Sequence, residues 1–181
     1  MTVAVSTDDQ LLARLRAASR NERDDLFEEV FLSHRVRVFG LCRHLCGPSG
    51  LAEDALQETF LEVYKGLAGF RGESQLGTWI YRIAVRTALR MRNRQVADAK
   101  TPVEAELATS HPHDALVARE RARQLQAAFD LLPADQRAVI ALFAVDGLGH
   151  AEIAGILGIP EGTVWSRLHK ARKALGSAAS L

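Results

Sequence analysis

Apolar residues recur at intervals of three and four along almost the whole of this 181-residue chain. That spacing places them on one face of an α-helix, whereas a half-buried strand needs alternating apolar and polar residues. No segment of the sequence sustains such an alternation. The sequence therefore predicts an all-α fold in which each helix buries an apolar face against its neighbours.

The predicted helices form two groups, separated by a stretch without periodicity. The first group comprises residues 8–20, 24–46, 52–66 and 78–94, with a turn at 47–50 and a glycine-rich loop at 69–77. Periodicity is lost between Gln95 and His113, and it returns in predicted helices at 114–132, 134–147, 150–157 and 161–175. We therefore expect two small helical domains, residues 1–95 and 114–181, joined by a flexible linker at 96–113.

Composition excludes several classes of protein. Hydrophobic residues make up 48% of the chain and charged residues 25%, as in ordinary globular proteins. The N-terminus has neither the basic start nor the apolar run of a signal peptide, and no apolar stretch approaches membrane-spanning length. The lack of such a stretch predicts that the protein does not insert into a membrane. Two cysteines provide no disulfide framework, so we expect a protein of the reducing cytoplasm.

Charge is distributed unevenly, although the net charge is only +1. Residues 1–60 contain seven Lys/Arg and ten Asp/Glu, a balance of −3. Residues 71–94 contain six Arg and one Glu, a balance of +5, and residues 161–173 contain four basic and one acidic residue, a balance of +3. The acidic N-terminal part of the chain indicates a protein partner, and the two basic segments indicate binding to a polyanion.

The segment HAEIAGILGIPEGTVWSRLHKARKAL at 150–175 predicts a helix-turn-helix. Gly158 supplies the left-handed residue of the turn, and Pro160 stands at the start of the second helix. The residues expected to pack inward are Ile153, Ala154, Leu157, Val164, Leu168, Ala171 and Leu175. The outer face, which has the donors and cations that a major-groove helix needs, comprises Thr163, Trp165, Ser166, Arg167, His169, Lys170, Arg172 and Lys173. The alternative is a helical hairpin with a solvated basic face.

Residues 131–175 resemble the fourth conserved region of the extracytoplasmic-function (ECF) sigma factors of bacterial RNA polymerase. The resemblance rests on Leu132-Pro133, Gln136-Arg137, Gly147-Leu148 and the run GTVWSRL at 162–168. It implies that the second helix of the motif contacts the minus-thirty-five promoter element and that this domain contacts the flap of the second-largest polymerase subunit. Two residues depart from the family pattern: Trp165 replaces a common Arg or Lys, and Gly149 replaces the usual Ser cap.

Residues 52–88 resemble the second conserved region of the same family. The resemblance implies that Asp54, Gln57 and Glu58 dock on the clamp helices of the largest catalytic subunit of the polymerase. Their i, i+3, i+4 spacing places them on one helix face, where they offer acceptors to a basic partner. Phe60 is expected to pack inside. Without the resemblance, a solvated acidic face would be the default interpretation.

The loop FRGESQLGTW and the helix after it resemble the part of the family that opens promoter DNA at the minus-ten element. The loop would capture a flipped base and the helix would follow the phosphates, through Arg71, Ser74, Gln75, Arg82, Arg86 and Arg90. The last three share one helix face with no carboxylate between them in sequence, so a bound polyanion is expected to neutralise them. Arg86 replaces an Asn that is common in the family, and Trp79 is expected in the core.

Motifs of enzymes and cofactor sites are absent from the sequence. It contains no His-Glu-x-x-His, no phosphate-binding glycine loop and no Gly-x-Ser-x-Gly. Cys42 and Cys46 share a helix face but His44 points elsewhere, so buried thiols are favoured over a metal site. His111 and His113 are too few for a metal site. We expect no catalytic residue, metal or cofactor.

These features predict an alternative sigma factor that directs RNA polymerase to specific promoters and opens promoter DNA. Its domains would be the region 2 bundle and the region 4 helix-turn-helix, and its partners core RNA polymerase, promoter DNA and an anti-sigma factor. The alternative is a non-sigma helix-turn-helix regulator with a helical N-terminal domain. That alternative accounts for residues 132–175 but not for the acidic face or residues 69–94. A sigma mimic that only sequesters an anti-sigma factor is disfavoured because both basic segments are retained.

Overall fold

The structure, a computed structural model, describes residues 13–14, 17–47, 50–98 and 124–178. Its named helices are α1 (Arg20–Cys46), α2 (Leu51–Leu67), α3 (Leu76–Asp98), α4 (Ala134–Asp146), α5 (His150–Leu157) and α6 (Glu161–Ala178). Residues 124–131 are also helical, and the described residues contain no strand, which agrees with the predicted all-α fold. The parts of the sequence analysis that lie outside the described residues are His111, His113, the predicted linker from residue 99 onward, residues 114–123 and most of the predicted helix at 8–20.

Helix boundaries differ from the predicted ones at three main places in the first group. Helix α1 begins at Arg20 rather than residue 24, because the backbone N–H of Ser19 donates to the carboxylate of Glu22 at 2.7 Å. That Ser-x-x-Glu spacing is a capping signal. Helix α3 begins at Leu76 rather than residue 78, and the buried Leu76 side chain contributes to the core. It continues to Asp98 rather than residue 94, so residues 96–98 of the predicted linker are helical.

Helices α1, α2 and α3 pack against one another around a shared apolar core. Leu41, Val63 and Ile80 are completely buried there, one from each helix. Phe60 is also buried, as predicted, and its ring meets Phe31 edge to face with centroids 4.8 Å apart. The prediction that Trp79 belongs to the core is likewise confirmed, because its ring packs beside Phe70 at 4.9 Å.

The glycine at position 66 permits the close approach of α2 to the start of α3. A Cβ atom at Gly66 would lie 2.8 Å from the ring of Trp79, which is inside van der Waals contact. Any larger residue at this point of α2 would push the ring away. Because Trp79 lies in the first turn of α3, Gly66 helps to determine where α3 packs on α2.

Helices α4, α5 and α6 form the second group, and α5 with α6 is the predicted helix-turn-helix. Gly158 has a φ of 65°, the left-handed conformation that the turn requires. Ile153, Val164 and Leu168 are buried between the helices, as predicted. Leu157 is partly buried and packs against the core, as predicted, and Ile156 is a further buried residue of α5 that the sequence analysis did not identify.

A buried guanidinium joins the two groups of helices. Arg92, near the end of α3, is 7% exposed and donates to the carbonyl of Leu45 at 3.0 Å and to the carboxylate of Asp130 at 2.8 Å. Gln126 donates to the same carboxylate oxygen at 2.9 Å. Helix α1 also contacts α4, and α3 contacts α5, so one apolar core continues through both groups.

Candidate polymerase and nucleic-acid interfaces

The acidic side of α2 is exposed, as its spacing predicted. Asp54, Gln57 and Glu58 all face solvent. Leu61 lies one turn further along the same side, and 53% of it is exposed. Sequence analysis missed Leu61, although its position four residues after Gln57 places it on this face. We refer to these four residues as the α2 docking face, which combines hydrogen-bond acceptors with an exposed apolar side chain at one end.

The arginines of α3 have carboxylate neighbours, contrary to expectation. Arg86 forms an ion pair with Glu62 of α2. The Nη2 atom of Arg90 lies 3.3 Å from Glu58 and 3.4 Å from Glu62. The arginines therefore do not depend on a bound polyanion alone for neutralisation, because α2 brings Glu58 and Glu62 against them. Glu58, a residue of the α2 docking face, thus also contacts a candidate DNA-binding arginine.

The third arginine of the row contacts the helix-turn-helix. Arg82 donates to the backbone carbonyl of Gly155 from Nη2 at 2.6 Å and from Nε at 3.0 Å. Gly155 belongs to α5, the first helix of the motif. In this structure all three arginines of the row therefore have protein partners, and a nucleic acid would have to exchange with them.

The candidate base-capture loop leads directly into α3. Arg71 and Gln75 are exposed, and Ser74 is half-buried. Gly72 has a φ of 77°, so the loop turns through a conformation that favours glycine. The carbonyl of Gln75 accepts the backbone N–H of Trp79 at 3.1 Å, which fixes the end of the loop to the first turn of the helix. The loop residues and the arginine row thus belong to one continuous segment.

The outer side of α6 carries all eight predicted recognition residues. Six are exposed, and two, Thr163 and Arg167, are half-buried. The rings of Trp165 and His169 are parallel, with an interplanar angle of 2° and centroids 6.1 Å apart. Trp165 is 62% exposed, so the flat ring pair is accessible from solvent.

Helix α4 anchors two cations of α6. The Nε atom of Arg167 lies 3.0 Å from a carboxylate oxygen of Asp135. The guanidinium of Arg172 lies over the ring of Phe143, 4.6 Å from its centroid. Sequence analysis identified neither partner, because both belong to a helix that lies about 30 residues earlier in the chain. The anchored cations have fewer accessible rotamers than Lys170 and Lys173, for which no such partner is present among the described residues.

The start of α5 is stabilised without a side-chain cap. Gly149 replaces the Ser of the family, and its backbone N–H donates to the carboxylate of Glu152 at 2.8 Å. The carboxylate therefore supplies one half of a capping box, while the half that a Ser hydroxyl would supply is missing. Glu152 in the first turn is also favoured by the positive end of the helix dipole.

The two thiols are buried, as predicted. Burial raises the pKa of Cys42 to about 12, and the neighbouring Cys46 adds to that effect. Burial likewise raises the pKa of Cys46 to about 11. Both groups are therefore protonated at neutral pH, and His44 on the same helix is exposed and bonds to the Gly40 carbonyl. Within the described residues, no group of three His, Cys, Asp or Glu is arranged to hold a metal ion.

Comparison with known families identifies two segments. The Sigma-70 region 2 family matches residues 30–97, which include α2 and the arginine row. The Sigma-70 region 4 family matches residues 122–175, which include the helix-turn-helix. Together these matches cover both candidate interfaces.

Whole-chain relatives agree with these matches. The chain is 38% identical to the ECF RNA polymerase sigma-E factor of Escherichia coli over 184 residues, covering 93% of this chain and 92% of the relative. The sigma-E factor of Salmonella typhi has the same identity and coverage. The RNA polymerase sigma-H factor of Pseudomonas aeruginosa is 28% identical over 94% of this chain and 93% of its own.

Two solved structures share the fold. CnrH, solved in complex with the cytosolic domain of CnrY, has a TM-score of 0.69 at 22% identity and covers 95% of this chain and 96% of its own. RpoE of Bartonella quintana, solved with the anti-sigma factor NepR, has a TM-score of 0.64 at 24% identity and covers 86% of this chain and 97% of its own. None of the described helices has the length and apolar character needed to cross a membrane.

Proposed function

This chain belongs to the ECF sigma factors of the sigma-70 family, and we propose how its sigma function is divided between the two groups of helices. The observation that carries the proposal is the match of regions 2 and 4 to the two ends of the chain. A non-sigma helix-turn-helix regulator is not favoured, because it would not account for the region 2 match. As an alternative sigma factor, the protein directs RNA polymerase to specific promoters and opens promoter DNA. Sigma factors are transcription initiation factors, and we propose that this one has no enzymatic activity.

We propose that residues 1–95 dock on core polymerase through the α2 docking face. Asp54, Gln57 and Glu58 offer acceptors to the clamp helices of the largest subunit, and Leu61 supplies an apolar contact at one end of the face. Protein interfaces combine apolar and polar contacts, and the charges here favour a basic partner. Residues 114–181 would contact the flap of the second-largest subunit, and the part of the predicted linker that follows α3, residues 99–113, would span the distance between the two sites.

The same N-terminal domain would open DNA at the minus-ten element. Arg71, Ser74 and Gln75 surround the base that the loop captures, while the arginine row follows the phosphates of the displaced strand. Flipping one base costs a few kcal/mol, which a shaped pocket and phosphate contacts offset. The present partners of the row are the exposed carboxylate of Glu58, the partly buried carboxylate of Glu62 and the carbonyl of Gly155. An exposed ion pair, such as that of Arg90 with Glu58, contributes only about 0–1 kcal/mol. A phosphate can therefore replace Glu58 as the partner of Arg90 at small cost.

The outer side of α6 would recognise the minus-thirty-five element. Trp165 and His169 present flat rings that suit thymine methyl groups and sugar edges. The other six residues supply donors and cations for bases and phosphates: Thr163, Ser166, Arg167, Lys170, Arg172 and Lys173. Because Phe143 of α4 holds Arg172 in place, this cation is best suited to a fixed phosphate contact that sets the register of the helix on DNA.

Control by an anti-sigma factor is part of the proposal. RpoE of Bartonella quintana was solved with such a factor, and it shares this fold. Both DNA-binding faces and the α2 docking face are broad exposed surfaces that a partner protein could cover together. Because core polymerase and the chromosome are the proposed targets, we place the protein in the cytoplasm.

Run-off transcription tests the function directly. The protein is added to core polymerase on a library of promoter fragments, and we expect transcripts from a subset that shares minus-ten and minus-thirty-five elements. Permanganate footprinting then tests the division of roles: a variant with Ala at positions 82, 86 and 90 should form closed complexes with little thymine reactivity. Normal opening by that variant would assign strand opening to other residues.

A further inference from the structure

Glu62 lies at the contact between α2 and α3, and it is not among the residues proposed to bind polymerase or DNA. Its two carboxylate oxygens contact two different arginines, Oε2 with Arg86 and Oε1 with Arg90. The Glu62 side chain is 25% exposed, whereas that of Arg86 is 65% exposed. The carboxylate is thus the partly buried, fixed member of the pair, and the guanidinium extends from it toward solvent.

This pair coincides with a departure from the family pattern. Arg86 stands where many members carry Asn, close to the position expected for the captured base. An Asn there offers hydrogen bonds without charge. A free Arg would offer hydrogen bonds with a full positive charge, and it would attract any nearby phosphate regardless of sequence. Glu62 compensates that charge locally.

The hydrogen-bonding capacity of Arg86 survives the ion pair. A guanidinium has five N–H donors, and Glu62 contacts only the Nη2 end of Arg86. The remaining donors are not bonded to Glu62, and they lie in one plane because the guanidinium is planar and rigid. A planar, oriented and locally neutralised donor group suits the edge of a base better than it suits a phosphate.

We propose that Glu62 is a specificity-determining positioning residue for the minus-ten element: it holds Arg86 as an oriented donor for the captured base and prevents Arg86 from acting as a nonspecific phosphate contact. The inference rests on the proposed role of α3 in opening DNA and refines it, because it assigns Arg86 to the captured base and leaves the phosphates to Arg82 and Arg90. It differs from a purely structural role for the ion pair, because it predicts that loss of the carboxylate strengthens binding to DNA of the wrong sequence.

The test uses holoenzyme reconstituted with core polymerase. The probes are fork-junction duplexes whose non-template minus-ten segment is single-stranded, with each of the four bases in turn at the captured position, and a single strand of unrelated sequence. Glu62→Gln removes the charge and keeps the shape, and Glu62→Asp keeps the charge. Glu53→Gln is the matched control, since Glu53 is an exposed carboxylate on the same helix with no ion pair among the described residues.

With Glu62→Gln we expect binding to the unrelated strand to tighten about three- to tenfold at low salt. The slope of log affinity against log salt should become steeper by about 0.7, the value for one additional phosphate contact on a single strand. Discrimination among the four bases should fall. Glu62→Asp should retain most of the discrimination, and Glu53→Gln should behave like the wild type in all measurements.

Two outcomes would overturn the inference. If Glu62→Gln matches Glu53→Gln in both slope and discrimination, the pair is an ordinary surface contact. If Glu62→Gln weakens binding to every probe at an unchanged slope, Glu62 only supports the packing of α2 on α3. A failure of the proposed function has a different readout: wild-type holoenzyme would not prefer the promoter fork over the unrelated strand. That result would overturn the proposed function and, with it, the inference about Glu62.

Discussion

The guanidinium of Arg82 on α3 caps the carbonyl oxygen of Gly155 on α5, with Nη2 at 2.6 Å and Nε at 3.0 Å. Gly155 is among the last residues of α5, where carbonyl groups have no partner within the helix. The negative end of the helix dipole also favours a cation at this point. The positive charge of Arg82 therefore suits this carbonyl group. The contact occupies an arginine that we assign to promoter DNA.

We predict that the two groups of helices separate when the protein binds polymerase and promoter DNA. Arg82 cannot follow the phosphates of a displaced strand while both Nε and Nη2 remain on Gly155. Energy transfer between dyes at Arg35→Cys on α1 and Ala151→Cys on α5 measures the separation, since both positions are exposed and the natural thiols are buried. The distance should lengthen in the open complex. An unchanged distance would mean that Arg82 remains on α5 and does not contact DNA.

We predict that Leu61 contributes to polymerase binding together with the acidic residues beside it. Leu61→Ser removes an apolar side chain that an interface would cover, which should cost about 1–2 kcal/mol, or roughly tenfold in affinity. Asp54→Lys should weaken binding further by placing a cation against a basic partner. The measurement is fluorescence anisotropy with core polymerase, with helicity checked by circular dichroism.

Leu131→Ser is the matched control for Leu61→Ser, because Leu131 is 86% exposed on the other group of helices. Equal affinities for the Leu61 and Leu131 variants would remove Leu61 from the docking face. If Asp54→Lys also binds like the wild type, the assignment of the face itself is wrong.

Features that depend on local spacing were predictable from the sequence. The helix-turn-helix, the left-handed Gly158 and the buried Val164 and Leu168 follow from patterns within about ten residues. The acidic face of α2 follows from its i, i+3, i+4 spacing. A short segment contains all the information that these features need.

Features that depend on how helices pack were not predictable. Glu62 and Arg86 are 24 residues apart in sequence, and Arg82 and Gly155 are 73 apart. Helical periodicity assigns a residue to a face, but it does not say which other face lies opposite. For that reason the arginine row was interpreted as unpaired, although α2 supplies its carboxylates. The burial of Ile156 was missed for the same reason, since the angle at which α5 crosses its neighbours decides which further residues are buried.

We predict that the buried thiols make stability fall at alkaline pH. Folding raises their pKa values from an ordinary 9.0 to about 12 for Cys42 and about 11 for Cys46. Below pH 9 the thiols are protonated in both the folded and unfolded states, so they contribute no pH dependence there. Between pH 9 and about 11 the unfolded chain loses protons that the folded chain keeps, and unfolding becomes more favourable as the pH rises.

The measurement is the urea midpoint at about pH 8 and about pH 10.5 for the wild type and for the double variant Cys42→Ala/Cys46→Ala. The double variant retains every other ionisable group of the chain, so it corrects for the pH dependence that those groups contribute. The midpoint should fall more in the wild type than in the double variant. Equal decreases would show that the thiols are as accessible to solvent in the folded protein as in the unfolded one.

The last prediction concerns the exposed ring pair on the recognition helix. Val164 and Leu168 anchor α6 to the core, so Trp165 points outward beside His169. An indole has one N–H donor and cannot make the bidentate contact with guanine that a guanidinium makes. It can instead cover a thymine methyl group or a sugar edge. The identity of residue 165 should therefore affect which bases are preferred more than it affects the overall affinity.

We predict that Trp165→Arg changes base preference within the minus-thirty-five element. Lys170→Ala is the control: it removes an exposed cation two turns from the start of α6, so it should weaken binding to all sequences and reduce the salt slope by about 0.9. Arg172→Ala is a less clean control, because it also removes the contact with Phe143. The measurement is binding of holoenzyme to duplexes randomised across the element, at two salt concentrations. An unchanged preference for Trp165→Arg would mean that Trp165 belongs to a protein-binding surface and that Ser166, Arg167 and His169 recognise the bases without it.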